Sequence, residues 1–394
     1  MKLRVEIIKD SEGFLALEAV WNPLLGRSGA DSLFLTYEWL YTCLAHLKYA
    51  KQLFIVVVWN EQAVVAIAPL MVNKREGLRQ LCSISNDIVV SDYKDFIIDD
   101  SANREQVIRE IFDALFQDDG WDFFRLDRFP TDSVNFLAFN SVLAQYPPNR
   151  VVRKEQVPTL YIPLEGTFDE YFQSLKKSFR IDVAKWQRRM EKLPYSFSDE
   201  IDSSKISETV GEIIDLKADS LKAKKDDGEK TMYDDPSIRP FFIDFAKKAY
   251  SLGWLRISTL LINDENASRF IDFQYKNKCY RIIPWYNPNY SRCSPSNLIS
   301  MRQIKHCFEL ELSECDLLGG IYDYKFNYNV KVREKHEIFL FRGGLKGRLA
   351  RLRIFNTLIP MLRKFYWLCG ANLRRIPYMN EIIDATKKYL QKPG

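Results

Sequence analysis

Apolar positions in this chain recur with two spacings, about every second residue and about every third or fourth, and the switches between them outline its elements. LRVEIIKD near the start reads as a strand, a helix follows around Leu15 to Leu24, and FLTYEWL (34–40) opens another helix. Residues 53–74, LFIVVVWNEQAVVAIAPLMVNK, read as two strands about a turn at Asn60 and Glu61. RQLCSIS and KDFIID are strand-like, SANREQVIREIFDALFQD has the spacing of an amphipathic helix, and WDFFRLDRF is again a strand.

The alternation then starts afresh. Thr159 to Pro163 is strand-like, and Phe168 to Leu193 carries apolar residues at helical spacing. Ser207 to Lys225 and Pro236 to Leu252 are further helices, the second stopped by Gly253. LRISTLLIND, SRFIDFQYKN and KCYRIIPWYN form a run of strands with turns at Asn263 to Asn266 and at Asn277. A helix from about Ser296 to Leu310 and a strand around Cys315 to Leu318 complete the unit. The pattern predicts a mixed α/β fold in two similar halves. A length of 394 residues suits two domains, expected at 1–155 and 156–341, with a different segment at 342–394.

That last segment changes the picture through its charge. It holds 12 Lys and Arg against two acids, so it carries +10 while the rest of the chain carries −5. Leu, Ile, Phe, Tyr and Trp are interleaved with the basic residues, which predicts an amphipathic helical tail kinked at Pro360. One reading lays the tail on an anionic membrane surface, with Tyr366 and Trp367 at the interface; the other docks it on the body or on a partner.

Seven cysteines are scattered without C-x-x-C spacing, and His46, His306 and His336 lie far apart. The expectation is therefore a cytoplasmic protein with neither a disulfide framework nor a metal site. The N-terminus lacks the pattern of a signal peptide, and no stretch is apolar for the 18 or so residues that a spanning helix needs.

The candidate chemistry lies between Tyr280 and Lys325. A strand (YRIIPW) leads through a turn into SPSNLISMRQIKHCFE and then into ECDLLGGIYDYKF. Free N–H groups at a helix N-terminus attract phosphate, so this order suggests a cradle for a phosphate-bearing cofactor. Ser294 or Ser296 suits a cap, Pro295 suits the first turn, Asn297 tolerates unusual backbone angles, and Arg292 adds a charged phosphate contact. The same residues also read as no more than a capped helix start.

Beyond the turn, Asp316, Asp323, Tyr324 and Lys325 form a second constellation, in which Asp316, Tyr324 and Lys325 are the catalytic candidates: Asp316 reads as a base or as a hydrogen-bonded strand carboxylate, and Lys325 as a donor to developing charge or as an exposed loop ammonium. The aromatic run WYNPNY (285–290), with Tyr322, Tyr324 and Tyr328, reads as a sugar-stacking surface or as core plus turn. Seven Lys and Arg between Lys176 and Lys192 mark a helix face for an anionic substrate, or a solvated face; no nucleic-acid module accompanies them.

FDEYFQSLKKSFRIDVAKWQRRMEK (168–192), YNPNYSRCSPSNL (286–298) and GGIYDYKFNYN (319–329), with Trp39, VVAIAPLMV and SDYKDFII (91–98), resemble the CelD-type GNAT acetyltransferases. These are tandem-GNAT proteins found with bacterial cellulose and exopolysaccharide biosynthesis, and distantly similar to the Fem-type aminoacyl transferases. The resemblance covers roughly residues 10 to 340. It implies tandem GNAT-like domains and a V-shaped opening for acetyl-CoA or another acyl-CoA between strands at 280–285 and 315–318. The pyrophosphate would lie on the turn from Arg292 to Asn297, with Trp285, Arg292, Ser294, Ser296 and Asn297 as cofactor-binding residues. Ser296 stands where the family's Ser-Pro-Gly has glycine. Lys325 matches the lysine of the family's Tyr-Lys ending, whose Fem-type counterpart contributes transition-state charge.

Two functions are thereby expected. One is an acyl-CoA-dependent N- or O-acyltransferase acting on a sugar or amine in polysaccharide or envelope synthesis, cytoplasmic or peripheral at the inner membrane face. The other is an inactive GNAT-fold scaffold of a membrane-associated synthase, held through its tail.

Overall fold

The computed structural model describes residues 3–46, 52–75, 77–85, 91–223 and 231–355. The first half comprises β1 (Leu3–Ile8), α1 (Ser11–Ala16), α2 (Glu18–Gly26), α3 (Tyr37–His46), β2 (Gln52–Leu53), β3 (Ile55–Asn60), β4 (Ala63–Ala68), β5 (Leu70–Arg75), β6 (Leu78–Ser83), β7 (Ile97–Ile98), α4 (Arg104–Gln117), β8 (Phe123–Pro130) and α5 (Phe136–Leu143). The second comprises β9 (Val151–Pro163), α6 (Phe168–Ser174), α7 (Lys177–Met190), β10 (Tyr195–Ser198), α8 (Ile206–Lys222), α9 (Ile238–Ser251), β11 (Leu255–Ile262), β12 (Glu265–Tyr275), β13 (Lys278–Tyr286), α10 (Pro295–Glu309), β14 (Glu314–Asp316) and β15 (Lys331–Phe341).

Short polar turns with left-handed residues make the hairpins. Glu61 (φ 55°) joins β3 to β4, Asn263 and Asp264 (φ 51° and 62°) join β11 to β12, and Lys276 (φ 50°) joins β12 to β13. Each half also holds one parallel strand pair bridged by a helical crossover, β6 with β8 around α4 and β13 with β14 around α10.

A small sheet has the order β1-β3-β4-β7, and a second sheet runs β10-β11-β12-β13-β14-β9-β15-β8-β6-β5-β2 through both halves. β9 and β15 are its middle. β15 pairs with β9 along most of its length and with β8 on its other edge. The boundary expected at 155/156 thus falls inside β9.

Three elements depart from the sequence pattern. Residues 53–74 supply more than two strands, because Pro69, which has no N–H to donate, lets the chain leave β4 in the small sheet and enter β5 in the large one. The helix expected over 168–193 is broken at Leu175, buried and extended at ψ 154°, so α6 and α7 are separate. The helix around 15–24 is likewise two, meeting at Leu17.

Helices cover both faces of the second half's strands. α6, α7 and α10 enclose Phe270, Cys315 and Ile162 on one face. On the other, α8 and α9 enclose Phe273 and Ile283 together with α3, whose Trp39 packs edge-on against Phe241 and Phe245 at 5.1 and 4.7 Å. The halves therefore share a core. Residues 344–355 are helical and set Ala350 and Ile354 against Phe123, Phe339 and Phe341. The rest of the expected tail, with Pro360, Tyr366 and Trp367, lies outside the described residues. Among the described residues no helix is long and apolar enough to cross a membrane.

Candidate active site

β13 and β14 pair in parallel only at Lys278–Glu314, Cys279–Cys315 and Tyr280–Asp316. Beyond Tyr280, β13 continues to Tyr286 while the chain after Asp316 follows β9, with the Leu317 amide bonded to the Leu160 carbonyl at 2.9 Å. The strands splay apart, and the turn 287–294 and the N-terminus of α10 stand beyond the opening. The segments that leave the ladder here are those between which the sequence led us to expect an opening, 280–285 and 315–318.

Ser294 adopts a left-handed conformation (φ 47°, ψ 57°), the strained geometry that reverses the chain before Pro295 starts α10. Its hydroxyl does not cap the helix; it accepts from Asn297 Nδ2 at 2.7 Å. The Asn297 and Leu298 amides turn back to the Ser294 carbonyl at 3.0 and 3.2 Å. With proline at 295, few of the first-turn amides face outward, so an anion here depends on side chains as well as on the helix dipole. Arg292 is exposed beside the turn, and its carbonyl accepts from Arg189 Nη1 of α7 at 2.8 Å. That bond brings the basic face of α7 to the mouth of the slot. Trp285 is largely buried in β13. Beneath the turn, buried Arg281 donates to Ser300 and Gln303 of α10 at 3.1 and 2.7 Å, fixing the helix to the strand.

Lys325 closes the other side. It sits on the 3-10 turn Asp323–Tyr328, 4% exposed, and its Nζ donates to the Leu317, Leu318 and Gly319 carbonyls at 2.7, 3.3 and 2.9 Å. Burial pushes its pKa down to about 8. All three N–H groups are engaged, so Lys325 offers the slot a positive charge rather than a free donor. Tyr324 is about half exposed and stacks on Tyr322, with ring centroids 6.0 Å apart. Tyr328 is buried and donates to Asn297 Oδ1 at 2.5 Å. The expected aromatic surface therefore divides: Tyr322 and Tyr324 are the exposed pair, and Trp285 and Tyr328 are core.

Asp316 does not share this side of the sheet. It is fully buried on the face covered by the first half, where Oδ2 lies 2.5 Å from the Tyr93 hydroxyl and 3.0 Å from Arg333 Nη1. Its Oδ1 accepts the Leu318 amide at 2.8 Å. Burial raises its pKa to about 6, against the pull of Arg333. The geometry suits a carboxylate that shapes the backbone at the end of β14. Arg333 also binds Glu314 (2.7 Å) and Asp132 (2.8 Å); neither it nor Tyr93 stood out as a site residue in the sequence, Tyr93 lying 223 residues from Asp316 and Asp132 lying 201 residues from Arg333.

A cavity of about 90 Å³ lies at the opposite, paired end of β13 and β14, lined by Asp31, Lys278, Tyr280, Glu314 and Arg333 among others. In the first half, the corresponding opening beside β8 is crossed by the chain at Lys94, whose amide bonds the Arg128 carbonyl and whose buried ammonium pairs with Asp127 at 2.8 Å. Six described cysteines are free thiols, and three that the spacing set apart, Cys279, Cys307 and Cys315, converge under α10.

Residues 177–326 match the family of the Acetyltransferase (GNAT) domain. No curated protein matches the chain. Among solved structures, FemX aligns with a TM-score of 0.61 at 12% identity, over 89% of this chain and 99% of its own. A conserved protein of unknown function from Bacteroides thetaiotaomicron aligns at 0.55 and 12%, over 86% and 100%. The C-terminal domain of a protein described as a lysylphosphatidylglycerol synthetase of Agrobacterium fabrum aligns at 0.53 and 10%, over 88% and 96%. At such identities the likeness establishes the fold, whereas the domain match reaches the residues of the slot itself. Residues 177–326 therefore carry a match to a GNAT domain, the chain has a GNAT-like fold, and together these support a transferase.

Proposed function

We propose that the slot between β13 and β14 holds an acyl thioester, and that the protein transfers the acyl group to an amine or hydroxyl of a sugar or other cell-envelope acceptor. The observation that carries this reading is the strand divergence after Tyr280 and Asp316, with the Ser294–Pro295 turn at one end and the Lys325 ammonium at the other. The acceptor's nucleophile attacks the thioester carbon directly, and the charge of Lys325 stabilises the oxyanion and the departing thiolate. Tyr324, exposed on the same turn, is the group placed to pass the acceptor's proton to solvent. Arg292, Ser294, Ser296 and Asn297 hold the diphosphate of acetyl-CoA or a related acyl-CoA, and Trp285 lends them a rigid strand. Cellulose or exopolysaccharide synthesis is the pathway suggested by the resemblance of the turn and of the Tyr-Lys ending.

Calorimetric titration with acetyl-CoA tests the donor. Binding that is weakened in Arg292→Ala supports it; no heat at millimolar ligand would remove acyl-CoA. A second reading, an aminoacyl group carried on tRNA, is favoured by the basic face of α7 tied to the turn through Arg189 and by the scarcity of outward amides there. Titration with aminoacyl-tRNA separates the two donors. Silence toward both would leave the scaffold.

We further propose that helix 344–355 rests on an anionic membrane surface. Leu345, Leu349 and Leu352 are 72%, 56% and 58% exposed on one side, with exposed Lys346 and Arg348 beside them.

A further inference from the structure

We propose that Cys279, Cys307 and Cys315 bind a thiophilic d10 metal ion that ties α10 to the paired base of β13 and β14. The three sulfur atoms lie within 4.8 Å of one another, and the residues are 5%, 4% and 0% exposed. They come from three different elements: Cys279 and Cys315 are direct partners in the parallel ladder, and Cys307 comes down from α10. Metal–sulfur bonds of about 2.3 Å in a trigonal arrangement separate the sulfurs by about 4 Å, so the thiols need only a small relaxation to close on an ion. Thiolate sets of this kind select zinc or cuprous ions over hard cations.

The surroundings suit an ion with an anionic ligand set. Arg281, two residues beyond Cys279, is buried under the same helix and places a fixed positive charge beside the cluster. Across the ladder from it, Asp272 is 1% exposed, and neither of its carboxylate oxygens has a hydrogen-bond partner; Arg281 Nε lies 3.8 Å from Oδ2. Asp272 is the candidate for a fourth, oxygen donor on this buried face. On binding, the thiol protons leave to solvent and no electron is transferred. The ion would brace the frame on which the donor turn stands, and it does not depend on which donor that turn holds.

The test uses the full chain, reduced and handled without oxygen, titrated separately with Zn(II), with Cu(I), and with Cd(II) as a spectroscopic probe. The expected result is about one equivalent of zinc or copper per chain and a thiolate-to-cadmium charge-transfer band, with the metal raising Tm. Cys307→Ser and the Cys279→Ser/Cys315→Ser pair should each lose at least tenfold in metal affinity, and Cys43→Ser should not. If a cluster variant fails to fold, the metal-dependent Tm of the unaltered chain still decides. Uptake of one metal but not the other identifies the ion. A chain that binds none of the three more tightly than the paired variant holds only packed thiols, and the proposal is wrong.

Discussion

Lys325 is the residue whose ionisation matters most to the slot. Its pKa is about 8 in the folded chain and near 10.5 in the unfolded one, so between these values the unfolded state holds the extra proton and stability rises with pH. Lys325→Met should abolish that rise, as read by chemical denaturation across the window. Activity should move the other way, falling as pH climbs through about 8 because the neutral amine carries no charge; a flat rate profile there would exclude the role proposed for Lys325. Arg292→Ala should weaken donor binding about tenfold while kcat changes little, the mark of a phosphate contact made equally in ground and transition states. At this scale the sequence was legible where chemistry is local. Lys325 stands out in a Tyr-Lys ending and Arg292 in its turn. Asp316 was legible as an acid on the right strand but not as one facing Tyr93 and Arg333, since alternation along a strand of three residues does not reveal which face meets the distant half. The thiol cluster was hidden for the same reason, being a product of ladder register and helix placement.

Among the elements, periodicity located α4, α8, α9 and α10 to within a few residues, because each buries one apolar stripe at helical spacing. It missed the break between α6 and α7, where Leu175 keeps its apolar contact while the backbone turns extended, a choice made by packing and not by propensity. Two predictions belong here. Replacing Leu345, Leu349 and Leu352 with Ser should reduce binding to anionic vesicles by at least tenfold and leave Tm nearly unchanged, since those side chains are exposed while Ala350 and Ile354 anchor the helix. Equal vesicle binding by the triple variant would exclude the membrane face. On α7, Arg188→Glu with Lys185→Glu should leave acetyl-CoA binding within about twofold but weaken aminoacyl-tRNA binding steeply and make it less salt-sensitive, if tRNA is the donor; filter binding over a salt series reads this directly.

For the molecule as a whole, the sequence foretold two halves of similar rhythm but not that they share a sheet, because the pairing of β15 with both β8 and β9 joins segments some two hundred residues apart. The junction is charged as well as apolar: Arg333 holds Glu314 and Asp316, and Lys335 pairs with Asp92, all of them nearly buried. Arg333→Met strands two carboxylates away from water, and should cost about 3–5 kcal/mol and lower the single cooperative unfolding transition of the chain; two separate transitions in calorimetry would contradict the shared core. The central position of β15 also sets an order of events during synthesis. Since the strand that completes both lobes is nearly the last described piece to leave the ribosome, β8 and β9 emerge with open edges and wait for it. A nascent chain halted before residue 331 should therefore show protease-sensitive, chaperone-bound intermediates, and release of the following eleven residues should convert them to the resistant form in one step.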